Sequence, residues 1–233
     1  SDAVTSGAEE IVDAAVARIE PIGDLAPVAA AGLVIEAATE REDIKRVIFQ
    51  NVGKVLGPDA VLASNTSSIS IDDLAATRTH PERFLGLHFF NPVPASALVE
   101  IVRGGATDDA VVEAASGWVD ALAKTPIVVS DSPGFASSRL GVMLGLEAIR
   151  MLEEGVATAT DIDAAMTLGY RHPVGPLRTT DIVGLDVRLG IAEELAAELG
   201  PRFEPPALLR RMVAEGRLGR KSGHGFYDWN EEN

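Results

Sequence analysis

The chain has 233 residues, of which 46% are hydrophobic and 5% aromatic, so it can bury a substantial core and is too apolar for a disordered protein. Its formal net charge of −15 argues against a nucleic-acid partner, because phosphate binding needs a basic surface. The absence of cysteine excludes disulfides, thiolate zinc sites and cysteine nucleophiles, and is compatible with a cytoplasmic location. We expect no membrane partner, because no stretch approaches the ~20 apolar residues that span a bilayer.

The first part of the chain alternates between helical and strand patterns. Apolar residues at helical spacing alternate with short apolar runs such as GLVIEAA, which are typical of buried parallel strands. Ser70 is expected to cap a short helix through its side-chain oxygen. Helices are predicted over 8–19, 42–56, 67–76 and 108–122, and strands over 32–38, 61–65, 84–90, 98–102 and 126–131. This alternation predicts a doubly wound α/β sheet over residues 1–130.

The pattern changes at Asp131, after which only helical periodicity is found. Breaks occur at Gly155, at HPVGP (172–176) and at PRFEPP (201–206). We therefore predict a second, all-helical domain over residues 131–233.

The sequence LHFFNP places His88 among bulky apolar residues, where a histidine can be either packing or a proton acceptor. If strands 84–88 and 98–102 run antiparallel about a turn near residue 94, His88 lies opposite Glu100. A carboxylate in that position can fix the tautomer of the imidazole and stabilise its protonated form. The alternative is a structural cross-strand ion pair.

The segment SNTSS (64–68) follows a predicted strand, at the carboxyl edge where open α/β sheets bind ligands. Its small hydroxyl and amide side chains can bond a ligand, or they can simply cap the following helix.

Five basic residues cluster near the C-terminus, and they form either a solvated surface or a local anion site. They are Arg210, Arg211, Arg217, Arg220 and Lys221. We predict no metal site, because His80, His88, His172 and His224 lack paired ligand spacing.

Six blocks of sequence together resemble the 3-hydroxyacyl-CoA dehydrogenase family, including the 3-hydroxybutyryl-CoA dehydrogenases. They are LVIEAATE, ASNTSSISI, GLHFFNPVP followed by LVEIV, DSPGFASSRL with EAIRMLEEG, DIDAAMTLGYRHPVGPL and LGRKSGHGFYDW. They occur in family order between about residues 31 and 229. The resemblance implies a partial Rossmann-like domain, a helical domain that forms a homodimer, and NAD-dependent oxidation of an acyl-CoA substrate, the L-3-hydroxyacyl-CoA.

The resemblance also implies roles for individual residues. His88 would be the general base, Glu100 its orienting carboxylate, and Ser67 the hydroxyl that holds the substrate oxygen. The positions that the resemblance and the SNTSS segment assign to the cofactor NAD are Glu40, Lys45, Asn65, Asn91 and Lys221. The substrate is expected to be short, such as 3-hydroxybutyryl-CoA, in fatty-acid or aromatic-acid breakdown.

Two departures from the family pattern matter. The family commonly has Asn in GF-x-x-N-R, where this chain has Ser138, so the substrate carbonyl would be held by a shorter donor. The sequence also contains no G-x-G-x-x-G turn, which in the family holds the pyrophosphate at a helix N-terminus. We therefore expect the 233 residues alone to bind NAD weakly or not at all and to be a weakly active or inactive fragment.

Two alternatives remain open at this point. One is a shortened, non-catalytic module that binds or dimerises through its helices. The other is a related dehydrogenase for a small hydroxy acid.

Overall fold

The computed structural model describes residues 12–230. The predicted helix over 8–19 lies partly outside this range, and its described part is helical over 12–16. The strands are β1 (Leu33–Glu36), β2 (Val61–Ser64), β3 (Phe84–Phe89), β4 (Leu98–Arg103) and β5 (Thr125–Ser130). The helices of the sheet region are α1 (Glu42–Gly53), α2 (Ile71–Ala75) and α3 (Asp109–Ala121). Those that follow are α4 (Ser137–Glu153), α5 (Ala159–Gly169), α6 (Pro176–Val183), α7 (Leu185–Leu199) and α8 (Ala207–Ala214).

The five strands form one sheet in the order β1-β2-β3-β4-β5. Strands β1, β2 and β3 are parallel, β4 runs antiparallel to β3, and β5 is parallel to β4. Helices α1, α2 and α3 make the crossovers that parallel neighbours require. The predicted strands are all present, with ends that shift by at most two residues.

Helices cover both faces of the sheet. Successive residues of a strand point to opposite sides, so each strand packs against both layers of helices. In β2, Leu62 packs against α1 and α2, whereas Val61 and Ala63 pack against α3. The predicted doubly wound architecture is confirmed.

The predicted helix over 42–56 ends early, at Gly53. The amide of Lys54 turns back to the carbonyls of Asn51 and Val52, and the chain then leads into β2. Ser70 caps α2 as predicted, since its hydroxyl accepts a hydrogen bond from the amide of Asp73 at 3.1 Å.

Residues after β5 are helical and enclose a core of their own, and the three predicted breaks fall between helices. Asp181 of α6 is fully buried and joins the C-terminal segment to this core. Its carboxylate accepts hydrogen bonds from the amides of Phe226 and Tyr227, at 2.9 and 3.0 Å, and from the indole of Trp229 at 2.8 Å. None of the helices described between residues 12 and 230 is long and apolar enough to cross a membrane.

Candidate active site

The candidate site lies where β1, β2 and β3 reach their carboxyl ends. Glu36 ends β1, Ser64 ends β2, and His88 is the penultimate residue of β3. Glu100 reaches the same edge from near the start of β4, because β4 runs in the opposite direction. This edge is where open α/β sheets bind ligands.

The predicted pairing of His88 with Glu100 is confirmed. The two residues are direct partners in the β3–β4 register. The imidazole Nδ1 lies 2.7 Å from Glu100 Oε2, and the two residues are 4% and 0% exposed. Because a carboxylate only accepts, Nδ1 carries the proton and Nε2 is left with a free lone pair. Among residues 12–230, Nε2 has no hydrogen-bond partner.

Glu100 has three further donors, all from the segment that begins α4. Its Oε1 accepts from the amides of Ala136 and Ser137 at 3.1 and 2.8 Å. Its Oε2 accepts from the hydroxyl of Ser137 at 2.7 Å. Amides in the first turn of a helix have no partner within the helix, so they suit a buried carboxylate. Ser137 was not among the predicted site residues, and its only signal in the sequence is a serine near the beginning of the helical region.

These hydrogen bonds keep Glu100 ionised. Burial acts to raise the pKa of Glu100, but the bonds from His88 and from the hydroxyl and amide of Ser137 outweigh it and leave that pKa lowered. The orienting group is therefore a carboxylate at neutral pH.

Two aromatic rings flank the imidazole. The ring centroids of His88 and Phe90 are 4.4 Å apart, and those of His88 and Phe135 are 5.9 Å apart. Phe135 itself is buried in the core between the sheet and α2. The rings restrict the access of water to the imidazole.

Ser67 lies in an exposed loop that Glu40 holds in place. One carboxylate oxygen of Glu40 accepts from the hydroxyl of Thr66 at 2.5 Å and from the amides of Ser67 and Ser68 at 2.7 and 3.2 Å. Burial acts to raise the pKa of Glu40, but these bonds and the charge of Lys45 lower it overall. The structure thus joins Glu40 to the Ser67 loop, a link that sequence analysis did not foresee.

Lys45 is 1% exposed and its ammonium is used within the protein. Both carboxylate oxygens of Glu36 lie 2.8 Å from its Nζ, and Glu40 Oε2 lies 3.4 Å away. Ser64 donates a further hydrogen bond to Glu36 at 2.7 Å. A buried charge pair with such additional bonds positions the loop that follows β1.

The remaining predicted residues differ in their placement. Asn65 Oδ1 accepts from the amide of Phe89 at 2.9 Å and so ties the SNTSS segment to β3. Asn91 is exposed just beyond β3. Ser138 is partly buried in the first turn of α4, next to Ser137. Lys221 is not brought to His88, since its Nζ lies 2.6 Å from Asp186 Oδ2 at the start of α7.

Much of the basic cluster is satisfied by internal partners. Arg210 pairs with Glu193 and Glu204, and Arg217 donates to the carbonyl of Gly225 at 2.6 Å. The guanidinium of Arg220 lies over the ring of Trp229, so this cation also has an internal partner. These contacts favour the interpretation of the cluster as structural surface.

Comparisons with known proteins identify the family of the chain. The family model for the 3-hydroxyacyl-CoA dehydrogenase NAD binding domain matches residues 2–132, and that for the C-terminal domain of the same family matches residues 134–229. A 3-hydroxybutyryl-CoA dehydrogenase of Bradyrhizobium diazoefficiens is 47% identical over 222 residues, which cover 95% of this chain and 76% of that protein. A 3-hydroxyadipyl-CoA dehydrogenase of Escherichia coli is 43% identical over 217 residues, 92% of this chain and 46% of that protein.

The solved structure of (S)-3-hydroxybutyryl-CoA dehydrogenase PaaH1 from Ralstonia eutropha is similar in fold, with a TM-score of 0.90 and 41% identity. The match covers 98% of this chain and 84% of that one. Two family models in the expected order, together with the Bradyrhizobium and Ralstonia relatives that are matched over three quarters or more of their length, identify the protein class. The chain belongs to the 3-hydroxyacyl-CoA dehydrogenase family of NAD-dependent oxidoreductases.

Proposed function

We propose that this chain oxidises a short L-3-hydroxyacyl-CoA, of the 3-hydroxybutyryl-CoA type, with His88 as the general base. The observation that carries the proposal is the 2.7 Å hydrogen bond between His88 Nδ1 and Glu100, which leaves Nε2 free to accept a proton. The family supplies the reaction, the oxidation of a 3-hydroxyacyl-CoA with NAD. The names of the most similar relatives support the short acyl chain.

In this mechanism Nε2 of His88 takes the proton from the 3-hydroxyl group, while the hydrogen on C3 leaves with its electron pair as hydride. NAD, when bound, supplies the acceptor for that hydride. The C–O bond becomes a carbonyl, and the imidazolium that forms is stabilised by the carboxylate of Glu100. Phe90 and Phe135 limit competing contact of the imidazole with water.

We assign the other site residues as follows. Ser67 would hold the substrate oxygen from its exposed loop, and Ser138 would donate to the substrate carbonyl. The polar groups at the carboxyl edge suit the nicotinamide end of NAD, where Asn65 and Asn91 would hold it. Glu40 and Lys45 would act through the geometry of the 64–68 loop. Lys221 remains a proposed cofactor contact that has Asp186 as its partner in this structure.

The experiment that tests this function is the reverse reaction. Acetoacetyl-CoA is added to the protein with NADH, and the loss of NADH absorbance is followed. Because we expect the 233 residues alone to bind NADH weakly, the assay includes a version extended at its N-terminus by a glycine-rich strand-turn-helix. We expect turnover in the extended version. The function is contradicted if this rate does not exceed that of its His88→Ala variant, provided that NADH binds both.

We further propose a division into domains at residue 130 and a homodimer formed by the helical domain. The observation behind the dimer is the exposure of large apolar side chains at the end of α5, where Leu168 is 82% exposed and Tyr170 is 75% exposed. Such residues, when grouped, are typical of interfaces. A cytoplasmic location is proposed from the absence of cysteine.

Replacing Leu168 with glutamate is expected to convert the dimer to a monomer, because a charge at the centre of an apolar interface is buried without a partner. Sedimentation velocity measures the change. Glu154→Lys, at the exposed end of α4, is the control for an altered surface charge and should leave the dimer intact. A native protein that sediments as a monomer at every concentration rules out the dimer.

A further inference from the structure

A cavity of about 440 Å³ lies in the helical region between α4, the 172–176 segment, α6 and α7. Most of its lining is apolar. The apolar residues include Leu140, Leu144, Pro173, Val174 and Pro176. The dehydrogenase mechanism proposed for His88 uses none of these residues.

Arg188 of α7 also lines this cavity, although the residue is only 6% exposed. Its Nε is buried without a hydrogen-bond partner, and no ion pair to the guanidinium is formed within residues 12–230. Burial lowers the pKa of Arg188 to about 10, so the group still carries its charge at neutral pH. A buried cation without a counter-charge is costly, and arginine is rarely buried unless it is paired.

Two glycines of α4 make room for the guanidinium. A Cβ atom at Gly145 would lie 3.6 Å from Arg188 Nε, and one at Gly141 would lie 4.0 Å from Nη1. The arginine therefore packs along the helix where side chains are missing. The same side chain is part of the lining of the cavity.

The cavity contains no counter-charge of its own. No aspartate or glutamate is among the described residues that line it, and its other polar side chains are His172 and Thr179. The part of a ligand that contacts the walls must therefore be apolar. The group that pairs with the guanidinium must be anionic.

One side of α4 joins the lining of the cavity to a residue of the candidate active site. Ser137, which bonds Glu100, shares a helical stripe with Leu140, Gly141 and Leu144. At a rise of about 1.5 Å per residue, Gly141 lies roughly 6 Å along the axis from Ser137. A few methylene groups span that distance.

We propose that Arg188 and this cavity form a binding site for the carboxylate of a short aliphatic acid. The bound carboxylate can belong to either of two kinds of molecule. One is a free aliphatic acid, and the other is a dicarboxylic acyl-CoA, whose distal carboxylate would enter the cavity. The second source rests on the dehydrogenase function proposed above, whereas the binding of a free acid does not. The carboxylate accepts paired hydrogen bonds from the guanidinium, and the methylene groups contact Leu140 and Leu144.

The first test is calorimetric titration of the 233-residue chain with hexanoate and with hexanamide. The two probes match in size and differ in charge. Hexanoate is expected to bind about 10- to 100-fold more tightly than hexanamide, because its carboxylate forms charge-assisted hydrogen bonds with the arginine. Equal affinity for the two probes, or binding of neither, overturns the proposal without any variant.

Two arginine variants then locate the site. Arg188→Met removes the charge at similar length and should fold, because an apolar residue replaces an unpaired buried ion. It should abolish the preference for hexanoate, while Arg211→Met, on the exposed side of α8, should retain it. If hexanoate fails to bind and Arg188→Met changes the oligomeric state, a second copy covers the arginine and the proposal is wrong.

Steady-state kinetics distinguishes the two sources, in the same NADH-consumption assay with other substrates in place of acetoacetyl-CoA. Two 3-oxoacyl-CoA substrates of equal length are compared, one ending in a carboxylate and one in a methyl group. If the acyl-CoA is the source, kcat/KM favours the carboxylate by about 10-fold or more, and Arg188→Met removes this preference alone. If a free acid is the source, hexanoate binds in calorimetry but the two substrates react equally. If the unsubstituted protein binds hexanoate but turns over neither substrate, the result counts against the dehydrogenase function only.

Discussion

Replacing His88 with glutamine in the N-terminally extended version is expected to lower kcat for acetoacetyl-CoA reduction by about 10²- to 10⁴-fold, the usual contribution of a general acid or base. Glutamine can still bond Glu100, but it has no group that gains and loses a proton near neutral pH. The folded state should be retained, because the amide replaces the imidazole hydrogen bond. Initial rates at saturating substrate measure the effect, and circular dichroism checks the fold.

A matched control and a double variant sharpen this prediction. His80, which bonds Glu82 on the surface, provides the control, and His80→Gln should leave kcat unchanged. Glu100→Gln should also lower kcat, since an amide cannot accept from all four donors of Glu100. Because Glu100 acts through His88, the double variant should be no slower than His88→Gln alone. Multiplying effects in the double variant would show that the two residues act independently.

Removing the carboxylate of Asp181 is expected to have the largest effect on stability. Asp181→Ala leaves the amides of Phe226 and Tyr227 and the indole of Trp229 without their acceptor. These donors are partly buried, and donors left unsatisfied in a protein interior cost about 1–3 kcal/mol each, so at about 1 kcal/mol for each donor we expect a loss of roughly 3 kcal/mol in the free energy of unfolding. For a chain of this size that corresponds to a fall in Tm of about 6 °C or more. Thermal unfolding followed by circular dichroism measures it.

The fluorescence of Trp229 reports whether the C-terminal segment detaches. The chain has two tryptophans, so a Trp118→Phe background isolates the signal. Asp228→Ala removes an exposed carboxylate from the same segment and should leave both Tm and emission nearly unchanged. An Asp181→Ala variant with the native Tm would mean that water or neighbouring groups satisfy these donors.

The pairing of His88 with Glu100 could be predicted because it depends only on strand register. An antiparallel pair with a turn near residue 94 places residues 88 and 100 opposite each other, and the observed register agrees. The capping of α2 by Ser70 was predictable for a similar reason, since it involves neighbours in sequence. Local spacing was sufficient in both cases.

Other features of the site depend on contacts between distant segments. Nothing in the segment that begins α4 indicates that Ser137 bonds a carboxylate 37 residues earlier. Lys45 lies on a helix with polar and apolar residues, yet it is buried because Glu36, at the end of β1, lies within hydrogen-bond distance of its ammonium. Arg188 could not be recognised as an unpaired cation, because its isolation depends on which glycines of α4 face it.

The four donors to Glu100 come from two separate parts of the chain. One is the imidazole on the sheet, and the other three belong to the first residues of the helical region. A hinge movement that separated these two parts would remove most of the restraints on the carboxylate and let the imidazole rotate. In the proposed mechanism, a substrate that held the two parts together would therefore also align the group that deprotonates it.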